Sequence, residues 1–398
     1  MKIDVSILQN WPYSNLVRDD AGAPKEMPFG DAIRNRVSSQ SIKHAIRIST
    51  HFSNAAQVVA IRSRIHSTRI AEMLAGHHGR LPERAEQIAL SCMTGLYGGD
   101  KKEDKKDDDN VKGIASQFLG SDEISWIVQA IDRNWDELDA IVGQPDKKGE
   151  IAPLNRKADA KAVRDLVAIA DGGTLAPFVL LGGRMNATQH VQDYTAALHM
   201  AHGFSTNPME VDYDFFTAVD DLNSVGSAHM EHSPFVCPCI YNYCSIDLAQ
   251  LAENVLRKPD GADARATVVE VVDHFLSGLL ELSPKGMSAR TAPETAPSLV
   301  VVNVRSGGPS TNMCNAFLRA IRPKDDEDLV DLSIKALDSH WGIMKRRFVR
   351  RNRGLVGTFV LNATTTELTN LADHEVESDE DLISKTIALA IPEERGGE

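Results

Sequence analysis

The stretch Arg34-Asn35-Arg36-Val37-Ser38-Ser39-Gln40-Ser41-Ile42-Lys43-His44-Ala45-Ile46-Arg47 decides how the first part of this chain is read. Ser38 and Ser39 are natural N-caps, and Ile42, Ala45 and Ile46 recur at helical spacing, so a helix is expected near 39–50. Its unpaired amides and positive dipole end face the Arg34/Arg36 side. Lys43 and Arg47 lie four residues apart on one helix face. Backbone donors, hydroxyls, the Gln40 amide and four cations thus converge on one place, an arrangement suited to a phosphate chain. A capped surface helix with solvated cations is the alternative. Working outward, residues 2–9 alternate apolar and polar and read as a strand. A loop with Gly22, Pro24, Pro28 and Gly30 joins that strand to the helix.

At 398 residues with 42% hydrophobic content, the chain has room for two or three domains and a large core. No stretch is long and apolar enough to span a bilayer, and the start lacks a signal-peptide pattern. The five cysteines, Cys92, Cys237, Cys239, Cys244 and Cys314, are odd in number and mostly in apolar contexts, which implies reduced thiols in a cytoplasmic protein. The net charge of −13 argues against a nucleic-acid partner only until its distribution is considered. Basic residues outnumber acidic ones between Asp31 and Arg84, and Lys345-Arg346-Arg347-Phe348-Val349-Arg350-Arg351-Asn352-Arg353 contains no acid. The negative charge collects at Asp100–Asp109, which reads as an exposed charged loop, and after Glu367.

Residues 51–165 are mostly helical and polar in pattern, with Ile124, Ile127, Val128 and Ile131 forming one amphipathic face. Strand-like runs follow at 178–181, 235–243, 299–304 and 355–361, with helical patterns at 247–256, 264–282, 311–321 and 329–344. The order predicts an α+β fold, with helices on one face of a mostly antiparallel sheet and a helical lobe inserted.

Among residues able to carry chemistry, Phe215, Phe216 and Thr217 combine aromatics with a hydroxyl and can stack on bases or fill a hairpin core. Asp220 and Asp221 are adjacent, so on a strand they point to opposite faces and make a poor catalytic pair. Cys237, Cys239 and Cys244, with His229 and His232, invite a zinc reading, but the spacing fits none of the paired-cysteine zinc patterns. Gly182-Gly183-Arg184-Met185 ends an apolar run, where the glycines permit close approach and the arginine can reach a phosphate or sit in an ordinary turn. No nucleophile elbow, phosphate-binding loop or dinucleotide fingerprint is present.

Several ordered blocks carry a resemblance: Asn15-Leu-Val-Arg18-Asp19-Asp20, Arg36-Val-Ser-Ser-Gln-Ser-Ile-Lys43, Gly183-Arg184-Met185, Phe216-Thr-Ala-Val-Asp-Asp-Leu222 with Gly226-Ser-Ala-His229, and Ile246-Asp-Leu-Ala-Gln-Leu-Ala-Glu-Asn254. In this order the chain resembles the CasC family, the backbone subunits of the type I-E CRISPR Cascade complex, from the first strand to about residue 345. The resemblance implies an RRM/ferredoxin-like palm over 1–50 and 166–366, and a helical fingers insertion over 51–165. It further implies a β-hairpin thumb over 205–240 within the palm, with an acidic C-terminal segment over 367–398. It implies a non-catalytic subunit without metal or cofactor that stacks head-to-tail with copies of itself along a CRISPR guide RNA. The guide then pairs with target DNA in company with other Cascade subunits, with no membrane involved.

On that scheme Arg18, Arg34, Arg36, Ser38, Ser39, Gln40, Lys43, His44, Arg47, Arg184 and Met185 contact guide RNA, and Phe215, Phe216 and Thr217 fill the gap left by a flipped base. Lys147, Lys148, Lys157 and Lys161 stand as candidates for target-DNA contacts. His44 departs from the family's usual basic residue, and Lys345–Arg353 has no family counterpart. The alternative implied by the wider superfamily is a metal-dependent subunit that cuts target RNA through Asp19, Asp20, Asp220 or Asp221.

Overall fold

β1 (Lys2–Asn10) is buried at every residue except its two ends. Both of its edges are paired and both of its faces are covered. The computed structural model describes residues 1–54, 60–63, 65–97, 117–142, 157–167, 176–184, 193–219, 227–257, 263–283 and 286–393. Met185, Lys147, Lys148, Asp220, Asp221 and the Asp100–Asp109 run lie outside them. By contacts the chain divides into two compact units. The first is Met1–His51, Leu198–Ala249 and Val272–Glu398, and the second is Phe52–Ala197 and Gln250–Val271.

The first unit is built on one antiparallel sheet. β1 pairs with β10 (Cys239–Asp247) on one side and β11 (Leu299–Arg305) on the other. Beyond β11 lies β12 (Leu355–Asn362). Beyond β10 lie β7 (Gly203–Ser205), β3 (Ala32–Val37) and β2 (Glu26–Phe29), and β6 (Leu198–Met200) also pairs with β10. β2 and β3 fall in a stretch read as loop from the sequence. The signal there was Gly30-Asp31, a two-residue turn in which Gly30 takes φ 62°. A Cβ at Gly30 would also lie 1.8 Å from the carbonyl oxygen of Leu318.

Side chains of β1 alternate between two cores. Leu8, with Tyr241, Leu299 and Val301, packs under Ile334, Leu337 and Trp341 of α12 (Leu329–Arg347). Val5 and Ile7 face Ile42 of α1 (Ser39–Arg47) and Leu279 of α10 (Ala264–Leu280). On that second face Leu389 of α13 (Asp379–Ala390) lies against Gly357, whose neighbours Val304 and Ile3 share its side. Helices therefore cover both faces, not the one face expected, because β1, β10 and β11 are buried on both sides, with polar residues such as Asp4, Asn303 and Arg305 enclosed among the apolar ones. Residues 311–321, expected to be helical, hold only the short 3-10 turn Cys314–Phe317. A further short helix is α11 (Ser288–Thr291), while α2 (Thr50–Asn54) runs across the boundary, with Phe52–Asn54 in the second unit. The unit also carries a two-stranded ribbon, β8 (Asp212–Val219) with β9 (Ser227–Phe235).

The second unit is helical: α3 (His66–His78), α4 (Pro82–Tyr97), α5 (Ser121–Arg133), α6 (Trp135–Val142) and α7 (Lys157–Val167). Ile70, Leu74, Ile88, Ile127, Ile131 and Val163 form its core at the 3.6-residue repeat that the sequence displays. A short ribbon of β4 (Ala60–Ser63) and β5 (Gln117–Gly120) belongs to it, as does most of α9 (Leu248–Leu256). Residues 178–181, expected as a strand, form α8 (Pro177–Gly182), started by Pro177 and ended at Gly183. The four apolar residues are buried on all sides, a pattern that fits a short core helix as well as a strand.

Arg34 is wholly inaccessible, at 0% exposure. Its guanidinium donates to the carbonyls of Ser205 (2.9 Å), Thr206 (2.5 Å) and Phe317 (2.7 Å), tying β3 to β7 and to the Cys314–Phe317 turn. Asp31 sits 3.6 Å away and supplies the countercharge. The amide of Ala320 and the Arg322 guanidinium hold the Asp31 carboxyl below the usual carboxylate range. Replacing Arg34 by Ala would remove a buried donor from three carbonyls, of which that of Thr206 keeps the amide of Ile321, with an expected loss of about 3 kcal/mol or more of stability. Urea unfolding of Arg34→Ala tests this, and a midpoint equal to wild type would refute it.

Candidate nucleic-acid interface

β3 ends at Val37 and hands the chain directly to α1, so the helix N-terminus is aimed by the sheet. Ser38 is the N-cap, in extended conformation, and its hydroxyl accepts from the amide of Ser41 at 3.3 Å. The amide of Ser39 donates to Nδ1 of His202 at 3.2 Å. Gln40 is exposed, and Ser38, Ser39 and Lys43 are half-buried. Ile42 and Ile46 point inward, which places Lys43 and Arg47 toward the flank of the helix. Burial lowers the Lys43 ammonium below its ordinary value.

The Arg18 segment joins this end of the unit through the backbone. Lys25 donates to the carbonyl of Val17, and Arg36 donates to the carbonyl of Lys25, so Val17, Lys25 and Arg36 form consecutive rungs. Arg18 is exposed beside them, and Arg36 is half-buried. Asp19 has both its turn partners in place, accepting from the amides of Ala21 and Ala23, each at 2.9 Å. Its carboxylate therefore builds the loop, a role that does not depend on a metal.

The ribbon of β8 and β9 forms the second feature. Tyr13 stacks on Phe235 with ring centroids 4.5 Å apart and donates to Asp212 at 3.1 Å, and Ser14 bridges Val236. These contacts fix the base of the ribbon. Phe215 stands opposite His232 in the register, with the rings 5.1 Å apart, and is 54% exposed. Tyr213, two residues away on the same face, is also exposed. At this exposure Phe215 is not enclosed in a hairpin core among the described residues. Phe216 and Thr217 take the next rungs, opposite Glu231 and Met230.

With the site in view, the comparisons decide the family. The model of the family described as CT1975-like protein matches residues 3–388. The chain belongs to that family, the CasC backbone family of type I-E Cascade. A chain from a solved "CRISPR RNA-guided surveillance complex, pre-nicking" is similar to it, at TM-score 0.78 and 28% identity over 98% of this chain and 100% of that one. A chain from another "CRISPR RNA-guided surveillance complex" matches at TM-score 0.69 and 22% identity, again over 98% and 100%, and bears on the fold alone. A search of curated proteins finds no match.

Within this CasC-family chain the expected residues separate. Ser38, Ser39, Gln40 and Lys43 lie at the start of α1, with Arg36 on the strand leading into it and Arg18 on the neighbouring segment, while His44 and Arg47 stand in the last turn of the helix. Arg34 does not join them, because its guanidinium is spent on the three carbonyls inside the fold. Nor is Arg184 available as a surface cation. It is buried in the second unit, where it donates to Glu123 at 2.6 Å and lies beside the Tyr194 ring. Glu123 in turn accepts from the amide of Gly120 at the start of α5, so the pair locks that helix. Lys157 and Lys161 share α7 at an i, i+4 spacing, and Lys161 is exposed.

Cys239 and Cys244 sit on opposite faces of β10, one in the core under α12 and one facing α1, so they cannot share a metal. Burial pushes the Cys239 thiol up to about 11. Sequence reasoning missed two residues here, His202 and Tyr213. His202 had no local signal, since only the fold brings it to Ser39. Tyr213 was legible as the alternate residue to Phe215 on a strand.

His44 is exposed, and Arg47 donates to its Nδ1 at 2.8 Å. Burial, and then the Arg47 charge, lower the His44 pKa. The folded chain therefore binds fewer protons at this ring than the unfolded chain does below about 6.5. The stabilisation is complete above that value and is lost as pH falls through the depressed one. Arg47→Ala is expected to raise the His44 midpoint in a proton NMR titration, short of the ordinary value because burial persists. An unmoved midpoint would disprove the coupling.

Proposed function

We propose that this chain is a non-catalytic backbone subunit that lines up with copies of itself along a CRISPR guide RNA and presents it for pairing with target DNA in antiviral defence. The observation that carries the reading is the α1 N-terminus. Ser38, Ser39, Gln40 and Lys43 sit there on a helix that β3 aims, in a chain matched over nearly its full length by the family. Contacts of this kind read sugar and phosphate, not base identity. Base pairing then supplies sequence specificity, so one protein surface serves any guide.

In this reading the sheet unit is the palm, the β8–β9 ribbon is the thumb and the helical unit is the fingers. The exposed Phe215, with Phe216 and Thr217 on the following rungs, fills the space from which a guide nucleotide is flipped. Lys157 and Lys161, with Lys147 and Lys148, are proposed to follow the backbone of the target DNA. Other subunits of the surveillance complex, like those implied by the RNA-guided assemblies of the solved relatives, complete the particle.

The test is to express the chain with its neighbouring genes and a CRISPR array, purify it, and sequence the nucleic acid it retains. Wild type is expected to carry RNA of uniform length on several copies of the chain. Lys43→Glu with Arg47→Glu should weaken retention on all guides alike, roughly tenfold or more at physiological salt, and flatten the salt dependence. A double variant that retains guide as wild type does would remove α1 from the site. Phe215→Ala should leave guide retention near wild type while weakening target-DNA pairing several-fold. Target affinity equal to wild type would remove the ribbon's aromatic face from the mechanism.

A further inference from the structure

The basic run Lys345–Arg353 remains without a role. Its first residues complete the last turn of α12, where cations suit the helix dipole, and that accounts for Lys345 to Arg347 in part. The dipole does not account for the residues beyond Arg347. The chain turns between α12 and β12 through Arg351–Gly354, and this turn is pinned from inside. Arg351 donates to the hydroxyl of Thr311 at 3.1 Å and to the carbonyl of Ser310, while its own carbonyl accepts from Arg305 at 3.2 Å. Asn352 donates to the carbonyl of Met344 at 2.8 Å. A Cβ on Gly354 would come within 2.2 Å of the Gly307 carbonyl oxygen, so only glycine lets the two backbones approach.

With Arg351 and Asn352 committed inward, the rest of the run is held outward. Arg346, Arg347, Arg350 and Arg353 are all exposed. Arg346 donates to the Asn370 side chain at 2.9 Å, a neutral partner that leaves its charge uncompensated. Among the described residues none of the four has a carboxylate within ion-pair reach. The sequence has no acid between Asp338 and Glu367. Between these cations stand Phe348 at 50% and Val349 at 62% exposure. In a chain of net charge −13, an unneutralised cationic turn with an uncovered aromatic is costly to keep for solubility alone.

We infer that this turn is a second nucleic-acid surface, which takes the sugar–phosphate backbone of a single-stranded polynucleotide on Arg346, Arg347, Arg350 and Arg353 while a base stacks on Phe348. Single-strand binding fits better than duplex binding because a duplex hides the base faces that Phe348 would meet. The surface lies on the α12 side of the sheet, opposite α1, so it goes beyond the guide site proposed above and does not depend on it. RNA and DNA share the chemistry.

The experiment measures fluorescence anisotropy of the full-length chain with labelled non-complementary single-stranded DNA, single-stranded RNA and duplex DNA over a range of salt. Wild type is expected to bind at least one of the single strands, and the tighter of the two names the source. The combined variant R347A/R350A/R353A should weaken that binding at least tenfold and reduce the log–log salt slope by about 2, at roughly 0.7 per phosphate contact. Phe348→Ala should weaken single-strand binding roughly fivefold or more and leave duplex binding unchanged. Guide retention in the co-expressed complex should match wild type for every variant, which separates this surface from α1. Single-strand affinity and slope unchanged in the combined variant would overturn the proposal. So would loss of the guide in parallel, since the turn would then belong to the guide site. Should wild type retain no guide at all, the backbone reading fails while the oligonucleotide measurement still decides this one.

Discussion

A single buried guanidinium ties together the strand that leads into α1 and the segment that leads toward the β8–β9 ribbon. Arg34 reaches carbonyls on β7, on the segment after it and on the Cys314–Phe317 turn, places brought together from distant parts of the chain. The strand that carries Arg34 continues into the cap of α1, and the segment that accepts from it continues through Thr206 toward the β8–β9 ribbon. The neighbours reinforce the node. Asn35 donates to the Ser205 hydroxyl, Thr206 and Ser333 share a hydrogen bond at 2.8 Å, and Cys239 donates to Asn207. A charge in this position is expensive to desolvate, so it persists only where its donors are matched by fixed acceptors. The strand that leads into α1 and the segment that leads toward the ribbon are thus tied at one buried node.

A second buried network does comparable work at the other end of the sheet. Asp4 on β1 pairs with Arg305 on β11 at 3.0 Å, accepts from the amide of Thr311, and is reached by the Tyr243 hydroxyl at 3.1 Å. Burial, followed by the Asp4 charge, drives the Tyr243 phenol well above its ordinary value, so it remains a donor. Arg305 extends the network to Thr311, Asn352 and the Arg351 carbonyl. The cationic turn after α12 is thereby anchored to the central strand. Two arginines at strand positions thus act as struts, one beside α1 and one beside the turn after α12.

This division of labour explains what was legible in the sequence. The α+β class, the strand at 2–9, the Ser38 cap and α1, and the helices at 264–282 and 329–344 follow from local patterns, which the structure leaves intact. Local patterns failed where burial on all sides erases periodicity, as at 178–181, and where a short turn carried the signal, as at Gly30-Asp31. The candidate site divides the same way. Residue type alone cannot distinguish Arg34 or Arg184, which are enclosed, from Arg36 or Arg18, which are not. The distinction is made by carbonyls and a carboxylate far away in sequence. Nor could any local rule bring His202 to Ser39 or set His232 opposite Phe215.

The chemistry of the α1 end also suits a surface that must hold one polymer at many registers. The donors there are mostly neutral or partly sheltered: two serines, an exposed amide and a half-buried lysine, with a histidine further along the helix whose pKa is lowered by burial and then by Arg47. Neutral donors on a fixed backbone reward correct spacing of phosphates, whereas exposed cations reward mere proximity. An α1 surface weighted toward fixed donors therefore favours ordered placement of a strand. The turn after α12, weighted toward exposed guanidiniums and a bare aromatic, favours capture without register. Ordered placement and loose capture are opposed demands, and the two proposed surfaces would place them on opposite faces of one sheet.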